Sequence, residues 1–440
     1  MIQPQVQRKP YLRIIALALL LGLVTAVITF AFVSLVHILS DGLWVEAAEA
    51  IGVPFAVFTL VVCSLGGLLV GILVKFFGDH SGIFADVMAE FGRTGRFDYR
   101  NAPGILLTAV PSLVAGGSLG PEAPLADASG GLGTILGDRL KLPPHETRTL
   151  GFSGVSGMLA AFITSPINGA VLGLESAKGG VAGLTLQAWV LFPSLLASSV
   201  ATVVFVGLTG HFFGRLYVFP EYQPDLAHLL AAIPLGLLGG IVGVSFFVVL
   251  RGMQRAMQPL KTHLILRGLL GGIGLGIAGA LLPLTLFSGE EQTIELINTA
   301  PEIGVATLIA LAVVKTIVTC LCLATGWKGG YVFPIMFVGV ALGAAVHLVF
   351  PSIPLAVAVA ATLGGALVAT FHAPLFAVLF TLVMVQAETA PVVAIAVVAG
   401  GLLTGAMALS RLRNATPAAE SPREAEAPDG KPVSAAAADA

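Results

Sequence analysis

Apolar runs of about twenty residues, the length an α-helix needs to cross the hydrocarbon core of a bilayer, follow one another from Ile14 to about Leu409. Barrel strands would be shorter and would alternate apolar with polar residues, so the runs read as helices. Only 10% of the 440 residues are charged and 56% are hydrophobic, against about 25% charged in soluble domains. The fold class this predicts is an all-α polytopic membrane protein. Many runs are interrupted by Gly or Pro, which favours broken and tilted helices over a simple bundle.

Three interruptions share one design. Gly116-Gly117-Ser118-Leu119-Gly120-Pro121-Glu122 is a glycine-rich loop that turns into a helix start, with proline where a first helical turn tolerates it. Thr325-Gly326-Trp327-Lys328-Gly329-Gly330-Tyr331-Val332-Phe333-Pro334 repeats the pattern, and Gly78-Asp79-His80-Ser81-Gly82-Ile83-Phe84 does so without the proline. Inside an apolar segment, the free N–H groups and the positive end of the helix dipole must meet protein, water or an anion. An anion is their natural partner. Ser81 itself either caps its helix or donates to that anion.

These stretches resemble the signature segments of the CLC family of chloride channels and proton-coupled chloride transporters, which read roughly GSGIP, G(K/R)EGP and GxFxP. Here they stand as His80-Ser81-Gly82-Ile83-Phe84, Gly117-Ser118-Leu119-Gly120-Pro121 and Gly330-Tyr331-Val332-Phe333-Pro334. The resemblance covers roughly Leu12 to Leu409. It implies a CLC-like, internally repeated bundle, a homodimer with one pore per subunit, and chloride or a similar small anion as partner. It also implies that Ser81 contributes to a central anion site, with main-chain donors around Gly82, Ile83, Gly120, Tyr331, Val332 and Phe333.

Three departures from the family pattern bear on mechanism. Leu119 stands where the family's exchangers place a glutamate that competes with chloride and carries protons; the leucine either packs the loop or, the preferred reading, lines or gates the pore. Glu122, three positions on, is either a helix-start carboxylate favoured by the dipole or a replacement proton carrier. The paired inner glutamates of the exchangers are here Glu175 and Ser176, and no tyrosine follows Tyr331 to supply the family's inner-gate hydroxyl. Together these predict passive anion conduction. The alternative is a proton-coupled antiporter using a non-standard acid such as Glu122, and fluoride is a second substrate possibility, disfavoured by the chloride-type Ser81 motif.

A reading of another class comes from Gly151-Phe152-Ser153-Gly154 and Gly154-Val155-Ser156-Gly157, which fit the GxSG pattern of intramembrane serine hydrolases. Close helix packing through small residues explains them better in a chain with 53 glycines. Cys63, Cys320 and Cys322 lie in apolar runs and predict neither disulfide nor zinc site. No cofactor is expected, and a net charge of −2 points to no nucleic-acid partner.

Arg8, Lys9 and Arg13 precede a first helix expected to be retained rather than cleaved, with the N terminus cytoplasmic. The expected layout is residues 1–13 as a cytoplasmic segment, 14–409 as the membrane domain, with halves of about 14–209 and 229–409, and 410–440 as a disordered tail. The setting is the bilayer of the plasma membrane, with both termini in the cytoplasm. Ser165-Pro166-Ile167-Asn168 resembles Ala373-Pro374-Leu375-Phe376 at nearly the offset that relates Gly120 to Gly330, the mark of paired broken helices. Gly210–Asp225 reads as an external or interfacial link, and Gly92–Arg100, Arg251–Arg267 and Ser288-Gly289-Glu290-Glu291 as polar loops. Lys315, inside an apolar run, is expected to snorkel, to pair with a buried acid, or to raise the local positive potential.

Overall fold

The computed structural model describes residues 8–80, 83–176, 187–213 and 217–415. Ser81 and Gly82, expected at the anion site, lie outside them, as do residues 1–7 and 416–440 of the two terminal segments. The first half comprises α1 (Arg8–Asp41), α2 (Phe55–Phe77), α3 (Phe84–Thr94), α4 (Ala102–Val114), α5 (Glu122–Arg139), α6 (Pro144–Ile163), α7 (Pro166–Ser176) and α8 (Phe192–Thr209). The second comprises α9 (Leu226–Met257), α10 (Leu264–Leu281), α11 (Glu290–Ile303), α12 (Val305–Ala324), α13 (Val332–Val349), α14 (Leu355–Phe371), α15 (Pro374–Met384) and α16 (Ala390–Ala415). Eight of the described helices are long and apolar enough to span a bilayer. The protein is thus the all-α, multi-pass membrane bundle its apolar runs require.

The halves are related by more than sequence. The α6–α7 break falls at Thr164 (φ 51°) and the α14–α15 break at His372 (φ 54°), two non-glycine residues held in the left-handed region. Each is followed by one residue and then a proline, which disfavours helix in the residue before it and restarts the helix with its ring at the first turn. The Gly-rich loops match likewise, with Gly116 at φ 86° and Gly326 at φ 94°. The same offset carries α2 onto α10, and these two helices pack antiparallel: Gly71 meets Ile265, Gly67 meets Gly272, and Leu60 meets Gly276. Equivalent helices that run in opposite directions mean that the repeats are inverted.

At 23 residues, α2 is about 34 Å long. Its start packs on Trp44, whose ring lies 6.5 Å from Phe55 and 5.7 Å from Phe58. Its far end leads to Asp79, which takes an ion pair from Arg267 at the start of α10 (2.6 Å). Those two ends define a Trp44 face and an Asp79 face.

Several expected loops are shorter or absent. Glu290 and Glu291 open α11 instead of forming a polar loop, because Gly289 turns with φ 101° and its N–H is accepted by Gln292 Oε1 (3.1 Å) in a capping arrangement. α3 continues to Thr94, α9 to Met257 and α16 to Ala415, so the polar stretches after Gly92, Arg251 and Leu409 begin as helix. The link between the halves is present but folds inward: Phe213, Tyr217 and Tyr222 are buried, and the Phe213 ring lies 5.9 Å from that of Phe333.

Along the α2–α10 seam a methyl group has nowhere to go. A Cβ at Gly71 would stand 2.7 Å from Ile265 Cα. Gly71→Ala is expected to cost about 1–3 kcal/mol through overpacking, read as a lower Tm of the detergent-solubilised protein. Gly252→Ala, whose Cβ meets nothing within 4 Å, is expected not to lower it.

Candidate anion site

The loops before α5 and α13 meet head-on. Gly120 N–H donates to Gly330 O (2.9 Å) and Gly330 N–H to Gly120 O (2.6 Å), an antiparallel bridge that joins two helix starts from opposite halves. Ser118 and Thr319 hydroxyls lie 2.9 Å apart beside it, and Phe287 N–H donates to Gly116 O (2.9 Å). The Gly120 amide, expected as an anion donor, is therefore taken by the partner loop.

The next free amide does meet an anionic group, and that group belongs to the chain. Val332 N–H donates to Glu122 Oε1 at 2.7 Å. Glu122 is 1% exposed, and its Oε2 has no hydrogen-bond partner among the described residues. Its carboxylate sits between Gly120 and Gly330, where a Cβ on either glycine would collide with it. Glycine is required at both positions so that backbone can approach a charged group this closely. A carboxylate oxygen on a helix-start N–H has the charge and the acceptor chemistry of a small anion.

Glu122 and Val332 share a cleft of about 10 Å³ with Phe84, the first residue of α3, and with Phe162, Phe371 and Phe376. Thus the start of α3 converges on the starts of α5 and α13. Ile83 is buried just before it. Tyr331 stacks on Phe371 (ring centroids 5.6 Å apart) and Phe333 packs edge-on against Phe162 (4.9 Å), so aromatic rings wall the junction.

Leu119 is wholly buried. It lines the floor of a cavity of about 280 Å³ that opens towards the Trp44 face, with Pro121, Phe162, Glu290 and Glu291. A second cavity, of about 330 Å³, lies on the Asp79 face and extends as far as Ile83, the residue before α3, with His80, Arg267 and Lys328 also in its lining. Lys328 Nζ donates to His80 O and lies 3.7 Å from Asp79 Oδ1. It ties the α13 loop to the stretch that leads to Ser81. Sequence reasoning assigned Lys328 no role, although a lone cation in a glycine-rich turn between apolar runs was the available signal.

Two other ionisable residues find structural partners. Lys315 is buried rather than snorkelling and pairs with no acid among the described residues: its Nζ donates to the carbonyls of Thr285 (3.1 Å), Leu286 (2.9 Å) and Phe287 (2.8 Å). It thereby fixes the turn that delivers Glu290 to the cavity. Glu175, at the expected inner acid position, accepts from Leu375 N–H (2.8 Å) and Phe376 N–H (2.9 Å), capping α15 of the other half. As for the GxSG serines, Ser153 Oγ donates to Thr149 O in its own helix (3.0 Å), and a Cβ at Gly154 would strike Ser129 O.

An inverted-repeat bundle in which helix starts from three segments face a buried anionic group belongs to the class of membrane anion-transport proteins. The family model described as voltage gated chloride channel matches residues 66–405, and the chain belongs to that family, with anion transport of the CLC type as its activity. A protein of Escherichia coli (strain SMS-3-5 / SECEC), YfeO, named as a candidate ion-transport protein, is 26% identical over 363 residues, covering 80% of this chain and 84% of that one. The fold matches a slow cyanobacterial Cl−/H+ antiporter at a TM-score of 0.79 with 23% identity, covering 91% of this chain and 98% of that one. It also matches a CLC-type fluoride/proton antiporter at 0.74 with 20% identity, covering 91% and 97%.

Removing the Glu175 cap tests its structural role. Glu175→Ala is expected to destabilise the protein by about 2–3 kcal/mol, the scale of hydrogen bonds to a charged group, with Glu175→Gln, which keeps one acceptor, intermediate. Thermal unfolding in detergent reads both.

Proposed function

We propose that the protein moves chloride or a similar small monovalent anion through the meeting point of α3, α5 and α13 in exchange for protons, and that Glu122 carries them. One observation carries this reading: the Glu122 carboxylate occupies the Val332 amide with one oxygen and leaves the other unpartnered. Carboxylate and halide bear the same charge and suit the same donor, so they compete. Protonation makes the carboxyl oxygen a weaker acceptor, so the side chain leaves the amide as the anion arrives. Glu122 takes its proton from water as the anion displaces it, and return of the carboxylate to the amide releases that proton again.

On this reading the anion's donors are Ser81 and the backbone of Gly82, Ile83, Tyr331, Val332 and Phe333. Ser81 and Gly82 rest on the family motif alone. Leu119, buried between the outer cavity and the carboxylate, is an apolar constriction that water crosses poorly. Arg251, Arg255 and Lys261 lie towards the Asp79 face with the start of α1, which supports a cytoplasmic assignment for that face and for the N terminus. The C terminus is proposed to be cytoplasmic as well, the membrane to be the plasma membrane, and the assembly to be a homodimer.

Passive conduction is the second reading, favoured by Leu119 and Ser176, neither of which can hold a proton. Reversal potentials in planar bilayers under separate chloride and pH gradients separate the two. Coupled exchange shifts the potential with pH at fixed chloride; conduction leaves it on the chloride gradient alone. In Glu122→Gln, chloride flux is expected to persist and proton movement to vanish, and undiminished proton movement in that variant would remove Glu122 from the mechanism.

A further inference from the structure

A proton that reaches Glu122 needs a way to the Asp79 face, and the residues at the family's inner acid positions do not offer one. Ser176 has no carboxyl, and both oxygens of Glu175 are held by the α15 amides at 2.8 and 2.9 Å. A Glu175 that let go of α15 would uncap a helix between the two halves.

Five residues beyond Glu122 on α5 stands Asp127. It is 7% exposed, and its Oδ2 has no hydrogen-bond partner among the described residues. It faces a cavity of about 150 Å³ shared with His80, Asp86, Glu90, Arg96 and Asp98. His80 and Asp86 also line the large cavity of the Asp79 face, so the two spaces adjoin. A volume of this size holds several waters. The charged neighbours are largely engaged elsewhere: Arg96 pairs with Asp138, Glu90 with Arg93 at 3.7 Å, and Asp98 accepts from Arg100 N–H (3.2 Å) and Asn101 Nδ2 (2.8 Å). No cation is paired with Asp127 among the described residues, which leaves its carboxyl to exchange with water.

We infer that Asp127 is the inner proton-exchanging acid, receiving the proton from Glu122 and passing it to water in the cavity of the Asp79 face. Five residues of α-helix place the two acids about 7.5 Å apart along the axis and about 140° apart around it, so the transfer runs not by direct contact but through a chain of several waters. α3 flanks both: Phe84 covers Glu122 and Val87 borders the Asp127 cavity. The step conserves charge and atoms. The O–H bond of the Glu122 carboxyl breaks as a water O–H forms, each water of the chain passes on one of its own protons, the last gives one to Asp127, and Asp127 returns it to bulk water. The inner acid has thus moved from α7, where the family's motif puts it, onto the helix that already carries Glu122. This inference rests on the coupled reading of the protein.

The test uses full-length protein in chloride-loaded vesicles, with chloride efflux and proton uptake recorded together. Wild-type protein is expected to move both ions; chloride efflux without protons in the wild type sinks the coupled reading itself and this assignment with it. Given a coupled wild type, Asp127→Asn is expected to keep chloride efflux within about threefold while proton uptake falls at least tenfold. Glu175→Gln is expected to keep coupling, as is Asp127→Glu, which retains an acid. Wild-type stoichiometry in Asp127→Asn overturns the assignment and leaves the role of Glu122 standing. Where Asp127→Asn does not fold, Asp127→Ser decides: proton uptake down at least tenfold with chloride efflux kept supports the assignment, and wild-type coupling overturns it.

Discussion

Inside a bilayer a severed helix has no water to bond its first amides, and the centre of this protein is arranged around that constraint. The loops before α5 and α13 solve half of it by bonding to each other through Gly120 and Gly330. The amide left over at Val332 is met by a carboxylate from the facing helix. That pairing explains the glycines, which leave room for the carboxylate, and the aromatic walls, which keep the junction dry. It also explains why a carboxyl side chain stands where nearly all its neighbours are apolar.

The inverted repeat makes such a junction possible at low cost in sequence. One loop design used twice, in opposite orientations, brings two positive helix ends to a single point from opposite halves. The matched left-handed residues Thr164 and His372 show the same economy at the α6–α7 and α14–α15 breaks. Glu175 then crosses from one half to cap the other, so the halves are fastened at their broken helices as well as along the α2–α10 seam.

Much of this was legible in the amino-acid sequence, because glycine and proline in an apolar run have few other meanings. The spans, the broken pairs and the three helix starts followed from that grammar. What stayed hidden depended on partners far apart in the chain. Nothing near Lys315 indicates that three carbonyls of residues 285–287 would satisfy its ammonium. Glu290 and Glu291 looked like a loop because two acids beside Ser-Gly suggest solvent, whereas a capping glycine and Gln292 turn them into the first residues of a helix. Gly120 was read as an anion donor because a sequence shows an amide but not the carbonyl that claims it. Asp127, in a stretch of alanine, serine and glycine, gave no sign of being buried beside a cavity.

The seam between α2 and α10 has a mechanical consequence. Where Gly67, Gly71, Gly268 and Gly272 bring two backbones into contact, there is no layer of side chains to slide, and rigid bodies that lack such a layer do not shear past each other. Along this seam the two halves are therefore held as one frame, and any motion that transport requires has to arise elsewhere than in a sliding of α2 over α10.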